Sequence, residues 1–454
     1  MSRSGAEFVL GGTGLRIQSS RSWLPSSLIP YRDITHFASV PHGFWLGTRR
    51  EIMSFRRRRF RDPDGPERLA QGLSRAIARQ PHGLEQLARI SQIHGLARRP
   101  APQLVSRSLA LFCTIIYLIQ MRDPFIEQVG ALVPALVDAG QVWRLVSANF
   151  LHGVSFIPLH LIFNVLGLLG LALLVERPLG AMRSAVVMGT SGLVAMLSSY
   201  ALGQGPVMGA SGIVMGLAGA ALCLELQHSD RLPVWWRVPR RPFIALLLME
   251  GVTGFTLPFV AGEAHLGGFV AGYLTTALLA GQAVMLRPTQ AWVRRLGWTI
   301  TALAAVALMN VAMLTLRGPD ALERYARQLL ATPEVGVGSD NEVAWRMATE
   351  SKASRAQLGA AQELAERAAD RTEYLDPEVL DTLAEVLFVR GDRDAALRVI
   401  DQAIRITRGE DYYVQQRRRF TGERASDDRP PPPLPWSLRP RDSEREDGPP
   451  GIVI

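Results

Sequence analysis

Four short stretches place chemically capable side chains inside or beside the long apolar runs of this 454-residue chain. Gly209-Ala210-Ser211-Gly212 opens one run. His265, followed by Gly268 and Gly272, opens another. His160 and Asn164 open a third, spaced so that they share one helical face. Trp143-Arg144 lies just ahead of them. Within hydrocarbon an unsatisfied polar group is costly, so each needs a partner or a task. Ser211 falls at a helix start, where free backbone N–H groups and the helix dipole favour negative charge. A lone hydroxyl cannot lose its proton at neutral pH, and an imidazole such as His265 can take it. His160 and Asn164 can donate to an oxyanion, and one such donor is typically worth about 2.7–4 kcal/mol of barrier. Gly212 and Gly216 on one helix, with Gly268 and Gly272 on the other, form two small-residue stripes that let the helices pack closely. The chemistry these residue types allow is acyl transfer.

Each feature taken singly has a blander reading. A Gly-Ala-Ser-Gly run more often marks helix packing than catalysis, and a lone membrane histidine is more often a structural or functional polar contact than a base. The four together, in this order, reverse that balance. Trp143-Arg144 reads as an interfacial anchor or as a shaper of the loop, neither of them chemical. Glu176 is expected to pair with arginine or cap a helix end, and His152 to be structural. Glu250 costs about 2.5–3.5 kcal/mol on insertion scales. It is expected to face the bundle interior, with gating as the weaker reading.

The elements that must position these groups are apolar segments of membrane length, at 104–120, 157–175, 183–203, 209–227, 242–260, 264–286 and 297–316. Such runs rule out a single soluble domain, and the middle of the chain is not disordered. The two cysteines, Cys113 and Cys223, both lie in apolar runs, which excludes a disulfide scaffold and argues against a thiol metal site. Residues 1–100 carry 17 arginines against 7 acidic residues, whereas 318–454 are net acidic. The basic excess beside a membrane region points to anionic lipid or topology, not to nucleic acid. Between alternate segments lie Arg177, Arg183, Arg231, Arg237, Arg240, Arg241, Arg287, Arg294 and Arg295, while the opposite loops hold only Arg122 and Arg144. The positive-inside rule then puts the amino end in the cytoplasm and the tail after the last segment outside. The lack of a signal-like apolar stretch in the first 30 residues agrees.

Outside the membrane region, residues 6–62 read as short strands at 8–10, 14–17, 34–37, 44–46 and 51–55. A helix over 66–79 and a second over 83–95 follow. Residues 318–420 carry soluble helical patterning, and 421–454 read as a disordered, Pro-rich tail.

The set Trp143-Arg144, His160-x3-Asn164, Glu176-Arg177, Gly209-x-Ser211-Gly212 and His265-x2-Gly268-x3-Gly272 resembles the rhomboid intramembrane serine proteases. The resemblance covers about 140–275, with the whole core at 104–286. It implies a polytopic α-helical fold of six core helices, here with a seventh at 287–317. It also implies a serine–histidine dyad without an aspartate. Ser211 would be the nucleophile and His265 the base. The Ser211 N–H, His160 and Asn164 would form the oxyanion hole, and Gly209, Gly212, Gly268, Gly272, Trp143 and Arg144 would support the site. The implied substrates are single transmembrane segments cut near their outer end, entering beside the second and fifth segments. No cofactor or metal is implied. Two departures stand out. Met215 replaces an aromatic ring that many relatives pack on the histidine, and the stretch from His152 to His160 is long and contains Pro158. Residues 1–80 resemble a small pleckstrin-homology-like barrel at Ile29–Ile34 and Phe60–Leu73, joined by a linker over 81–103. Leu383–Ile404 resembles one tetratricopeptide repeat, with Leu364–Pro377 as part of another. That region is expected to bind a protein partner or to pack on itself. An inactive rhomboid-like adaptor that binds transmembrane helices is the alternative to a protease.

Overall fold

The computed structural model describes residues 6–19, 27–48, 51–60, 62–98, 103–123, 125–154, 158–203, 205–233, 236–238, 240–256, 260–316, 319–349 and 352–431. It divides into two compact units, Met1–Ala312 and Met313–Ile454.

The first unit opens with two antiparallel three-stranded sheets. One holds β1 (Ala6–Leu10), β2 (Gly14–Ser19) and β3 (Ser27–Pro30), and the other holds β4 (Ile34–Val40), β5 (Gly43–Thr48) and β6 (Ile52–Arg56). Leu15, Ile29, Tyr31, Phe37, Phe44 and Leu46 turn inward and form a core. Helix α1 (Gly65–Ala78) covers that core with Leu69, Leu73 and Ile77, whose spacing of four keeps them on one face. Helix α2 (Gly83–Ala97) shares the core through Ile90, and its Gln86 donates 2.7 Å hydrogen bonds to the carbonyls of Tyr31 and Ile34. Strand β3 is an addition to the sequence reading. No strand is expected in these four residues ending at Pro30, and pairing with β2 makes them one.

Seven longer helices follow. They are α3 (Leu104–Gln120), α7 (Leu159–Leu179), α8 (Ala181–Leu202), α9 (Ser211–His228), α10 (Arg240–Thr256), α11 (Gly262–Val284) and α12 (Ala291–Leu316). Short helices α4 (Phe125–Gly130), α5 (Pro134–Asp138) and α6 (Arg144–Ser147) lie in the loop between α3 and α7. By length and composition α7, α8, α11 and α12 can each cross a membrane, and α3 is a shorter apolar helix. Helix α9 is the inner one, packed against α7, α8 and α11. A third of its residues are Gly or Ala, and most of it is buried.

Arginines and acids fasten the end of the bundle remote from Ser211. Glu176 near the end of α7 accepts from the backbone N–H groups of Val105 and Ser106 at 2.9 and 3.2 Å, and so caps α3. Buried Glu225 accepts from Arg237 at 3.1 Å and from Arg240 at 2.8 Å. Buried Arg183 donates to the carbonyls of Arg287 and Pro288.

The second unit is helical throughout its described residues after the end of α12. It comprises α13 (Pro319–Leu330), α14 (Val337–Thr349), α15 (Leu358–Arg371), α16 (Pro377–Arg390), α17 (Arg393–Ile406) and α18 (Asp411–Thr421). Asp376 and Asp392 cap α16 and α17 by accepting from backbone N–H groups of their first turns. Residues just beyond 421 differ from the disordered tail expected there. Arg419 donates to the Ser426 carbonyl at 2.8 Å, and Arg429 pairs with buried Glu385 at 2.8 Å, which draws the chain onto the helices. The rest of the expected tail, from 432, lies outside the described residues.

Candidate active site

Ser211 is the first residue of α9, and His265 lies in the first turn of α11. The two helices meet backbone to backbone. A Cβ added at Gly268 would overlap the Gly212 carbonyl oxygen, and one at Gly272 would overlap that of Gly216. A side chain at Gly268 or Gly272 would wedge the two helices apart, and one at Gly212 or Gly216 would strike Ala195 or Ser191 of α8. A Cβ on Gly212 would also stand 3.6 Å from the carbonyl of Ala264, the residue before His265. The packing therefore brings the serine end of α9 to the histidine end of α11.

His160 comes to the same place from the start of α7. A Cβ built on Gly209 would lie 2.8 Å from His160 Nε2 and 3.9 Å from Ser211 Oγ, so both polar atoms surround one point. Gly209 has φ +131°, in the region that favours glycine, and a side chain there would strike the His160 ring. His160 and His265 are near enough to interact electrostatically. Asn164 is buried one turn further along α7, and its amide donates to the His160 carbonyl at 2.8 Å. One of its two amide N–H groups is thus bonded within its own helix.

The entry to α9 is held by the loop between α3 and α7. The Gly209 N–H donates to the Ala148 carbonyl at 2.9 Å, and Leu132 and Val207 exchange two 2.9 Å backbone bonds. The Ala210 N–H points at His152 Nε2, 3.4 Å away, and the His152 ring lies 5.2 Å from that of His160. Arg144 organises this loop from within. Fully buried, it donates to the carbonyls of Ala131 and Gln128 and to Gln141 Oε1 at 2.6–2.8 Å. Trp143 Nε1 donates to the Val129 carbonyl at 3.1 Å. Of the two readings of this pair, shaping the loop is the one that fits a buried guanidinium.

Sequence reasoning noted Glu250 but assigned it no role at this site. Glu250 of α10 places Oε1 2.7 Å from His265 Nδ1. An acidic residue in an apolar segment was the available signal, and nothing local named its partner. Among the described residues no group of three or more His, Cys, Asp or Glu side chains could hold a metal ion. Pro158 precedes α7, and residues 155–157 of the long stretch before it lie outside the described residues.

A family model described as the Rhomboid domain matches residues 139–282, which contain all of these groups. RHOMBOID-like protein 5 of Arabidopsis thaliana is 33% identical over 178 residues, 37% of this chain and 53% of that protein. Rhomboid protease GluP of Bacillus subtilis is 28% identical over 151 residues, 33% of this chain and 28% of that protein. The chain therefore spans about half or less of these relatives' own length. Another Bacillus subtilis protein, YdcA, named among the rhomboid proteases, is 30% identical over 146 residues and is matched over 69% of its length. With apolar helices of membrane length around the matched region, this is a membrane protein, and the chain belongs to the rhomboid family.

Proposed function

We propose that the protein is an intramembrane serine endopeptidase that cuts transmembrane segments of other proteins. The observation carrying this reading is the glycine-to-carbonyl contact of α9 and α11, which gathers Ser211, His265 and His160 at one end of the bundle. In this reading His265 Nε2 accepts the Ser211 proton as Oγ attacks the scissile carbonyl carbon. The carbonyl oxygen becomes an oxyanion facing the Ser211 N–H and His160, with the second amide N–H of Asn164 joining them. The imidazolium then passes its proton to the leaving amide nitrogen. A water, deprotonated by the same imidazole, hydrolyses the acyl-serine ester. Substrate enters beside α7 and α10.

The reading includes seven spans, six in the core and α12 as the seventh, with the amino end cytoplasmic and the second unit outside. It places the protein in the cell membrane, with transmembrane proteins and lipid as partners. Residues 1–80 form a pleckstrin-homology-like cytoplasmic domain, and residues 318–420 are a tetratricopeptide-like platform for a protein partner.

A second reading is an inactive adaptor that binds membrane helices. Met215 in place of an aromatic ring favours it. Fluorophosphonate labelling of the detergent-solubilised protein separates the two. The protease reading expects labelling that is lost in Ser211→Ala and His265→Ala. Absence of labelling in the unaltered protein, under all detergents and pH values tried, would support the adaptor.

A further inference from the structure

The middle of an apolar helix is an expensive place for a carboxylate, so the position of Glu250 calls for a partner. Around it on α10, Leu246, Leu248, Met249 and Val252 are exposed on the apolar surface. Glu250 instead sends Oε1 to within 2.7 Å of His265 Nδ1, a normal length for a charge-assisted hydrogen bond. The close approach of α10 to α11 makes this meeting geometric. A Cβ on Gly254 would lie 3.1 Å from the Gly262 Cα, so the two helices nearly touch there. Glu250 lies one turn before Gly254 and His265 one turn after Gly262, which sets the two side chains opposite each other. Both are partly sheltered, with His265 15% and Glu250 34% exposed.

We propose that Glu250 is a positioning residue for the base. The Nδ1–H of His265 donates to the carboxylate, which fixes the ring's orientation and leaves the Nε2 lone pair free for the Ser211 proton. When that proton arrives, the carboxylate stabilises the imidazolium. The inference rests on the protease reading above and extends it from two working side chains to three. Among the described residues, the other charged or titratable groups near His265 include His160 from α7, which interacts with it electrostatically, and Glu263 on its own helix, whose Oε1 accepts from Ser199 at 2.9 Å. Glu250 is therefore the acid that bonds the ring.

The test measures the rate of fluorophosphonate-rhodamine labelling of the full chain in detergent, resolved into probe affinity and maximal inactivation rate, from pH 5 to 9. Glu250→Ala is expected to slow the maximal rate at least about ten-fold with affinity unchanged. Glu250→Gln keeps an acceptor but loses the charge that stabilises the imidazolium formed during reaction, so its maximal rate falls with affinity unchanged. Glu250→Asp restores part of the rate. Melting temperatures of all three show whether they are folded, and an unfolded Glu250→Ala leaves the other two to decide. Unchanged rate and pH profile in the folded variants overturn the proposal. So does a faster rate, which would make the contact a restraint on the base. Absence of labelling in the unaltered protein would instead refute the protease reading itself.

Discussion

Two buried ionisable side chains set the pH response of the parts that hold them, and they do so with opposite sign. His36 is buried against His94 with ring centroids 4.5 Å apart, and burial, aided by the His94 charge, pushes its pKa down to about 3. An unfolded histidine titrates near 6.5, so on acidification the unfolded chain takes up the proton first. Stability is flat above that value and falls as pH drops toward 3, by at most about 5 kcal/mol. Asp381 is buried in the second unit with hydrogen bonds from Tyr412 and Gln416, and burial pushes its pKa up to about 7. Here the folded state holds a proton that an unfolded aspartate, titrating near 3.9, has lost. The stability it contributes is present below about pH 4 and is lost as pH rises through 7. Thermal melts of the detergent-solubilised protein should therefore show His36→Leu flattening the acid-side loss and Asp381→Asn flattening the loss toward neutral pH. Unaltered slopes in both variants would contradict the assignment.

Helix α9 is where close packing and the candidate chemistry coincide. Its glycines meet the glycines of α11, and its Gly212 also abuts Ala195 of α8, so three helices converge on a backbone with almost no side chains. Overpacking such a contact typically costs about 1–3 kcal/mol. Gly268→Val should lower the melting temperature and weaken fluorophosphonate labelling together, because separating α9 from α11 also separates Ser211 from His265. Gly281→Ala on the same helix meets no neighbouring atom within 4 Å and serves as the control, with melting and labelling unchanged. Equal effects from the two substitutions would refute the argument. Elements of the loop before α7 act at longer range, since Arg144 holds the carbonyls of α4 and its neighbours while Ala148 holds Gly209.

At the scale of the molecule, the arginines that set the proposed topology also bind structure. Arg183, Arg237 and Arg240 satisfy carbonyls or Glu225 at one end of the bundle, so they cannot be moved to the other end without leaving those groups unpaired. In the proposed orientation a cysteine replacing Arg58 should react with a membrane-impermeant maleimide only after cells are opened. Cys113 and Cys223 are buried and should contribute little background. Reaction at position 58 on intact cells would reverse the orientation.

Hydropathy, period and end signals are local properties, and they sufficed to bound α3 and to place the other long helices within a few residues. The same local reading, joined to the spacing of Ser211, His265, His160 and the glycines, marked out the candidate site and its family. Contacts between distant residues left no such trace. The bond from Gly209 to Ala148 is backbone to backbone, so no residue type announces it. Strand β3 exists only because β2 offers it a ladder, and Glu176 caps a helix that begins some seventy residues earlier in the chain. Glu250 advertised its cost in an apolar segment, yet its partner became definite only when the contact of Gly254 with Gly262 set α10 beside α11. Burial energy follows from residue type, whereas the direction of a hydrogen bond follows from where the chain returns.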